Sequence, residues 1–124
     1  MGLVVLYVED NASNVIVVAR VADSLGVELR VAPDAISMFA SLSQELPALI
    51  LLDISLPDMD GMTAARMIRQ KPSPISDIPI IAVTANAMEG DRERCLEAGC
   101  NDYLAKPFRV SELSRLIKHH LNLS

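Results

Sequence analysis

Three acidic side chains in this sequence lie directly after apolar runs, where they could act together. Glu9 and Asp10 follow one such run, and Asp53 follows another. Carboxylates that meet in a partly buried place repel one another, so they must be neutralised by a proton or by a cation. Hard oxygen ligands open to water suit Mg²⁺, which usually takes one or two carboxylates from a protein. The backbone carbonyl of Ser55 could add a further oxygen.

A hydroxyl and an ammonium group follow two further apolar runs. Thr84 lies within VTANA, and Lys106 lies within YLAKPF. Beside a metal-bound carboxylate, these two donors form a receptor for a phosphoryl group, because both stabilise charge on its oxygens. Asp53 can then act as the nucleophile and form an aspartyl phosphate. Taken singly, Thr84 could instead cap a helix and Lys106 could be a solvated surface charge.

The apolar runs are typical of strands that are buried on both faces of a sheet. They lie at 3–8, 27–31, 48–52, 78–83 and 101–105. Segments with helical spacing alternate with them, at about 11–25, 33–46, 62–70, 88–98 and 110–121. The pattern is a strand followed by a helix, repeated five times.

Residues that start or stop helices lie at the ends of these segments. Gly26 and Gly99 are placed to end the first and fourth helices. Pro33 suits the start of the second helix, and Ser111 could cap the last helix early. Three prolines predict a loop after the third helix: Pro72, Pro74 and Pro79.

The alternation predicts one doubly wound α/β domain, with a parallel sheet covered by helices on both faces. Five strands fit the flavodoxin-like order 2-1-3-4-5. The ligand crevice of such a sheet lies beyond the carboxyl ends of the strands where the order reverses, here between strands 1 and 3. We therefore expect five side chains to converge there: Glu9, Asp10, Asp53, Thr84 and Lys106.

Length and composition restrict the classes of protein. The 124 residues, 51% hydrophobic and 22% charged, suit a single globular domain. A formal charge of −5 without a basic stripe argues against direct binding of nucleic acid. The sequence contains neither a membrane span nor a signal peptide, so we expect a cytoplasmic protein. Cys95 and Cys100 are expected to be buried thiols rather than a disulfide.

Four motifs resemble the receiver domain of the two-component response-regulator family: YVEDN at 7–11, LLDISLPDMDG at 51–61, VTANA at 83–87 and DYLAKPF at 102–108. The resemblance spans essentially the whole chain and is greatest to receivers of hybrid histidine kinases and stand-alone receivers of phosphorelays. It implies that Asp53 is the phosphoacceptor and that Thr84 and Lys106 contact phosphoryl oxygens. It also implies a site for Mg²⁺, or Mn²⁺ in its place, formed by Glu9, Asp10, Asp53 and the Ser55 carbonyl.

The resemblance further implies a conformational switch. Thr84 and the aromatic Tyr103 would move together on phosphorylation, altering the face formed by helix 4, strand 5 and helix 5. Tyr103 could instead be a half-buried aromatic with no switching role. The peptide bond between Lys106 and Pro107 is expected to be cis.

Two small polar residues are expected to border the route of attacking water. Ser55 and Asn86 each lie two residues beyond a site residue, and in this family such positions influence the lifetime of the phosphoryl group. Each of them could equally be an ordinary loop residue.

The partners follow from the same resemblance. The phosphoryl donor would be a phosphohistidine of a histidine kinase or of a histidine phosphotransfer protein. His119 and His120 are not that histidine, because they lie near the end of the last helix, where they suit the helix dipole. A downstream protein would bind the face of helix 4, strand 5 and helix 5. We expect residues 1–124 to form one receiver domain without an output domain.

The first helix carries apolar residues on two sides. Its core-facing stripe is predicted to contain Asn14, Val17, Val18, Val21, Ala22 and Leu25. Val15, Ile16 and Ala19 remain on the other side, beside the acids. An apolar patch rimmed by charge often marks a docking site, so we expect the phosphodonor to pack there. Scattered exposed apolar residues are the competing interpretation.

Three other functions use similar residues or the same fold. Phosphohydrolases of the haloacid dehalogenase type also have an Asp nucleophile and Mg²⁺, but resemble a D-x-D pattern where this chain has DIS. A flavin or nucleotide carrier would need a loop free of acids after strand 1. An adaptor that binds partners without phosphorylation would not need the acid, hydroxyl and lysine set. We expect a phosphoacceptor signalling domain rather than an enzyme.

Overall fold

A parallel sheet forms the centre of the molecule. The computed structural model describes residues 3–85 and 90–123. Within these residues the sheet has five strands in the order 2-1-3-4-5, as predicted. The strands are β1 (Val4–Val8), β2 (Glu28–Ala32), β3 (Leu49–Asp53), β4 (Ile80–Thr84) and β5 (Asp102–Ala105).

Helices connect the strands and follow the last one. In the described ranges they are α1 (Ala12–Leu25), α2 (Ala35–Gln44), α3 (Gly61–Arg69), α4 (Asp91–Glu97) and α5 (Val110–Leu121). A short 3₁₀ turn, Ile75–Asp77, lies in the predicted proline-rich loop. Gly26 ends α1 in the left-handed conformation, with φ at 71°, where a residue without Cβ meets no strain. None of these helices is both long and apolar enough to cross a membrane.

Three predicted helix starts need comment. The second helix begins at Ala35 rather than Pro33, because Asp34 caps it by accepting a hydrogen bond from the N–H of Ser37 at 2.8 Å. Ser111 does not cap α5, since the extended residue before this helix is Arg109. The predicted start of the fourth helix, at 88, lies outside the described residues.

The core has two layers, one on each side of the sheet. All residues of β1, β3 and β4 are buried, and successive side chains point to opposite faces. One face packs against α2, α3 and α4, and the other packs against α1 and α5. This is the predicted sheet with helices on both faces, and it places the loops after the strands along one edge.

The cysteines lie in the first of these layers. Cys95 and Cys100 are both buried and are not joined in a disulfide, as expected. Burial raises the pKa of the Cys100 thiol to about 12. Both residues therefore act as small apolar side chains of the core.

The buried stripe of α1 is rotated by about one residue from the predicted stripe. Val18, Val21 and Ala22 are buried as predicted. Val17, however, is 37% exposed, whereas Val15 packs against the core. One residue turns a helix by about 100°, so a small error in the centre of the stripe exchanges such neighbours.

Candidate functional site

The acids that follow β1 and β3 meet at the predicted crevice. β1 lies beside β3 with Val8 opposite Leu52, so the next residues of each chain segment face one another. Glu9, Asp10 and Asp53 each place a carboxylate oxygen within 4.8 Å of the others. Glu9 and Asp53 are buried, while Asp10 is exposed. Three hard oxygen donors, one of them open to water, fit a divalent cation such as Mg²⁺.

Glu9 is held by hydrogen-bond donors from several parts of the chain. Its Oε1 accepts from the Tyr7 hydroxyl at 2.9 Å, the Asn14 side-chain amide at 3.1 Å and the Lys106 ammonium at 2.6 Å. Its Oε2 accepts from the Asn11 N–H at 3.3 Å. The carboxylate is therefore well fixed despite its burial.

Two of these donors were missed in the sequence. Tyr7 is the one residue with a hydroxyl in an apolar strand, two positions before Glu9, and Asn14 was assigned to the core-facing stripe. The polar group of each residue, in an otherwise apolar strand or helix stripe, was the feature of the sequence that could have identified it. Asn11, whose side chain accepts from the N–H groups of Ser13 and Asn14, caps α1 and leaves Asp10 outside the helix.

Asp53 lies between two donors at the end of β3. Its Oδ1 accepts from the N–H of Ser55 at 3.0 Å, and its Oδ2 lies 3.4 Å from the Lys106 ammonium nitrogen. Lys106 therefore faces both buried carboxylates and lies closer to Glu9. The two strand ends are thereby joined to the end of β5.

The pKa values of Glu9 and Asp53 are shifted in opposite directions. Burial alone would raise the pKa of Glu9, but hydrogen bonds from Lys106, Asp53 and Tyr7 outweigh it and lower that pKa to about 2. Burial raises the pKa of Asp53, and the Glu9 carboxylate adds to this effect, although the Ser55 N–H and Lys106 oppose it. A cation beside Asp53 would favour its ionised form, because opposite charge stabilises a carboxylate.

Thr84 ends β4 at the same edge of the sheet. It is buried, and its backbone carbonyl accepts from the Lys106 N–H at 2.7 Å. Thr84 and Ser55 line a common cavity of about 230 Å³. The other residues around this cavity are Ile54, Met62, Asp91, Arg94 and Cys95. The predicted hydroxyl thus borders a space next to the loop that follows Asp53.

The remaining predictions concern the Lys106–Pro107 bond, Tyr103 and Asn86. The bond between Lys106 and Pro107 is cis, as expected. Tyr103 is half-buried and packs against the core beside α4. Asn86 lies outside the described residues.

The loop between β3 and α3 closes tightly onto the site. The N–H of Gly61 donates to the Ile54 carbonyl at 2.9 Å, and Ser55 forms an antiparallel bridge with Asp60. A Cβ on Gly61 would lie 2.5 Å from the Asp53 carbonyl oxygen, so only glycine fits there. This return of the chain fixes the residues directly after Asp53.

The exposed apolar surface beside the site differs from the predicted one. Ile16 is 56% exposed, as expected, but Val15 and Ala19 are only partly exposed, and Val15 faces the core. Val17 takes their place, and Val110 of α5 lies beside it at 56% exposure. We call Ile16, Val17 and Val110 the α1–α5 surface. Val17 also lines a cavity that includes Lys106, Pro107 and Phe108.

Known proteins with similar sequences are receiver domains of signalling proteins. A family model described as the response regulator receiver domain matches residues 5–118. The hybrid signal transduction histidine kinase G of Dictyostelium discoideum is 35% identical over 95% of this chain. The histidine-protein kinase BarA of Escherichia coli is 36% identical over 94% of it. The chain spans only 4% and 13% of the lengths of these two relatives.

A solved structure gives the same result. The receiver domain of the sensor histidine kinase PA1611 from Pseudomonas aeruginosa is 43% identical, with a TM-score of 0.87. The match covers 98% of this chain and 99% of that one, which was solved with a magnesium ion coordinated in its active-site cleft. The chain belongs to the response regulator receiver domain family of two-component and phosphorelay signalling.

Proposed function

We propose that Asp53 accepts a phosphoryl group from a phosphohistidine in a Mg²⁺-dependent reaction. The observation that carries the proposal is the position of Lys106, whose ammonium nitrogen lies 2.6 Å from Glu9 and 3.4 Å from Asp53. A cation held between these carboxylates can stabilise negative charge that develops at Asp53 during transfer. Burial raises the pKa of Asp53, and a divalent cation bound beside it would favour the ionised form that attacks phosphorus.

The residues of the site have defined roles in this reaction. Asp53 attacks phosphorus through a carboxylate oxygen, and the donor imidazole leaves. Lys106 and the Thr84 hydroxyl stabilise the phosphoryl oxygens. Glu9 holds the Lys106 side chain at the crevice. Ser55 would border the path of the water that later removes the phosphoryl group, and for Asn86, outside the described residues, the same role stays a prediction from the sequence.

The acids supply the site for Mg²⁺. Glu9, Asp10 and Asp53 would hold the ion together with the Ser55 carbonyl. When bound, the ion offsets the charge of the transferring group. Mn²⁺ prefers similar oxygen ligands and could replace it. A PA1611 receiver structure with magnesium in the corresponding cleft supports this assignment.

The α1–α5 surface would receive the protein that carries the phosphohistidine. Val17 of this surface lines the cavity that includes Lys106, so a partner packed on the surface would lie close to the site. An apolar helix packed there could present a histidine side chain to Asp53. A histidine kinase or a histidine phosphotransfer protein is therefore the proposed donor, as the hybrid kinase relatives also suggest.

The output of the domain would be a changed protein surface. The Thr84 hydroxyl, drawn toward the phosphoryl oxygens, leaves room for Tyr103 to turn inward. That movement alters the face of α4, β5 and α5, where a downstream protein would bind. The proposed receiver domain is cytoplasmic, regulates a partner protein and does not turn over a small substrate.

Incubation with acetyl phosphate and Mg²⁺ tests the proposal. Intact-protein mass spectrometry should detect the mass gain of one phosphoryl group, and chelation of the metal should abolish it. Asp53→Asn should remove the gain, whereas the matched control Asp23→Asn, on the exposed side of α1, should keep it. A label that persists in Asp53→Asn, or no label on the unchanged protein, would contradict the assignment. The second result would favour a phosphorylation-independent adaptor.

A further inference from the structure

Asp58 lies at the tip of the loop between β3 and α3 and binds the start of a different helix. Its Oδ1 accepts from the N–H of Ala35 and its Oδ2 accepts from the N–H of Ile36, both at 3.0 Å. These are the first two residues of α2, and N–H groups at that place have no acceptor within their own helix. A carboxylate is also favoured there by the helix dipole.

We infer that Asp58 is a positioning residue for the divalent cation, because it ties the loop that carries the Ser55 carbonyl to the start of α2. The inference rests on the proposed function, which assigns that carbonyl to Mg²⁺. It gives Asp58 a role through Ser55 and none in direct contact with the ion.

The path from Asp58 to the site is short. Ser55 is three residues away and exposed, and its N–H also donates to Asp53 Oδ1 at 3.0 Å. The base of the loop is closed by the bridge between Ser55 and Asp60. Release of the tip would therefore change the freedom of a segment that sets both the Ser55 carbonyl and one oxygen of Asp53.

The two hydrogen bonds to Asp58 favour its ionised form. The N–H of Ala35, followed by that of Ile36, lowers the pKa of Asp58 although the side chain is exposed. The carboxylate therefore remains ionised at neutral pH and keeps both acceptors. Leu56 and Met59 hold the loop from its other side by packing against the core.

Two substitutions of Asp58 remove the tether to different degrees. Asp58→Ala removes both acceptors. Asp58→Asn keeps the size of the side chain but turns one oxygen into an amino group, which must face an N–H donor. Asp34→Ala is the matched control, since Asp34 caps the same helix through Ser37 without belonging to the loop.

The test measures Mg²⁺ affinity by titration calorimetry on the unphosphorylated full chain, well below its unfolding temperature. Loss of a partner that orients a ligand should weaken Mg²⁺ binding on the order of tenfold in Asp58→Ala, and less in Asp58→Asn. Asp34→Ala should lower the thermal midpoint to a similar extent as Asp58→Ala and leave the affinity unchanged.

Three results would overturn the inference. Unchanged affinity in both Asp58 variants would show that the tether does not position the loop. An equal loss in Asp34→Ala would assign the effect to general destabilisation of α2. Failure of the unchanged protein to bind Mg²⁺ or to gain a phosphoryl group would instead reject the proposed function and this inference with it.

Discussion

Charged side chains are paired differently at the two ends of the sheet. At the amino ends of β4 and β5, the guanidinium of Arg69 donates to the carbonyl oxygens of Ser76, Ile78 and Gly99 and to the side chain of Asn101, at 2.8 to 2.9 Å. All of these acceptors are neutral, and they surround the cation. The charge is therefore satisfied without any ligand.

At the carboxyl ends of β1 and β3, like charges are brought together. Glu9, Asp10 and Asp53 lie within reach of a single small ion, and Lys106 faces only the two buried acids among them. Burial together with the Glu9 charge raises the pKa of Asp53. The negative charge of these three acids is balanced only when a cation or a proton is added.

The amino end of the sheet should therefore contribute mainly to stability, and the carboxyl end should contribute mainly to chemistry. The Arg69 network joins α3 to the loops before β4 and β5 and should stabilise the fold under all conditions. The acid cluster should stabilise the fold poorly in the absence of a cation and bind one for that reason. Substitutions at the two ends should therefore have different effects on unfolding and on phosphorylation.

Arg69→Met should have the largest effect on stability. It leaves several carbonyl oxygens near the surface without their donor, so the free energy of unfolding should fall by roughly 3 kcal/mol. Urea denaturation measures this loss. Acetyl phosphate labelling at low temperature should be unchanged, and Arg66→Met, on the exposed side of the same helix, should cost less than about 0.5 kcal/mol. Loss of labelling in folded Arg69→Met would contradict the separation of the two ends.

Much of this contrast was visible in the sequence. Continuous apolar runs predicted the strands, and the residue after each run predicted the crevice, because parallel strands end at one edge. Glu9, Asp53 and Lys106 meet there for this reason. The residue that ends a strand can be identified from the local apolar pattern. Its prediction therefore requires no knowledge of contacts with distant parts of the chain.

The contacts at the other end could not be predicted in this way. Arg69 resembles an ordinary helical surface charge, and one of its acceptors lies 30 residues away in the sequence. Asp58 reaches α2 across a similar separation. The exchange of Val15 and Val17 has a different cause, since periodicity gives the angle of a buried stripe only to about one residue. Side-chain partners across such separations are set by tertiary packing.

Tyr7→Phe should have the next largest effect and tests whether Glu9 resembles Arg69 in being well paired. The change removes one donor to a buried carboxylate, so the free energy of unfolding should fall by about 1.5 kcal/mol. Tyr103→Phe is the control, because the ring is partly exposed and its hydroxyl forms no hydrogen bond within the described residues. Equal stability of Tyr7→Phe and the unchanged protein would mean that Lys106, Asn14 and the Asn11 N–H satisfy Glu9 without the Tyr7 hydroxyl.

Ile16→Asp should slow phosphotransfer without changing the acid cluster. A charge on the α1–α5 surface should weaken docking, and we expect transfer from a phosphorylated donor protein to fall about tenfold, equivalent to roughly 1.4 kcal/mol. Labelling by acetyl phosphate should be unchanged. Ile36→Asp, at a 72% exposed position on α2, is the matched control and should leave both rates unchanged. A similar fall with both phosphodonors would place the effect at the site rather than at the surface.

Asp53→Asn should have the smallest effect on stability, and its sign is informative. The pKa of Asp53 is raised on folding, so ionised Asp53 lowers the stability of the fold when the pH lies above that pKa. Without Mg²⁺ at neutral pH, the neutral amide should therefore raise the thermal midpoint slightly. As the pH falls, Asp53 itself becomes protonated and the two proteins should converge. Saturating Mg²⁺ should remove or reverse the difference, since it stabilises only the carboxylate. If Asp53→Asn is instead less stable at neutral pH in the absence of metal, Lys106 already compensates the acids, and the carboxyl end resembles the amino end after all.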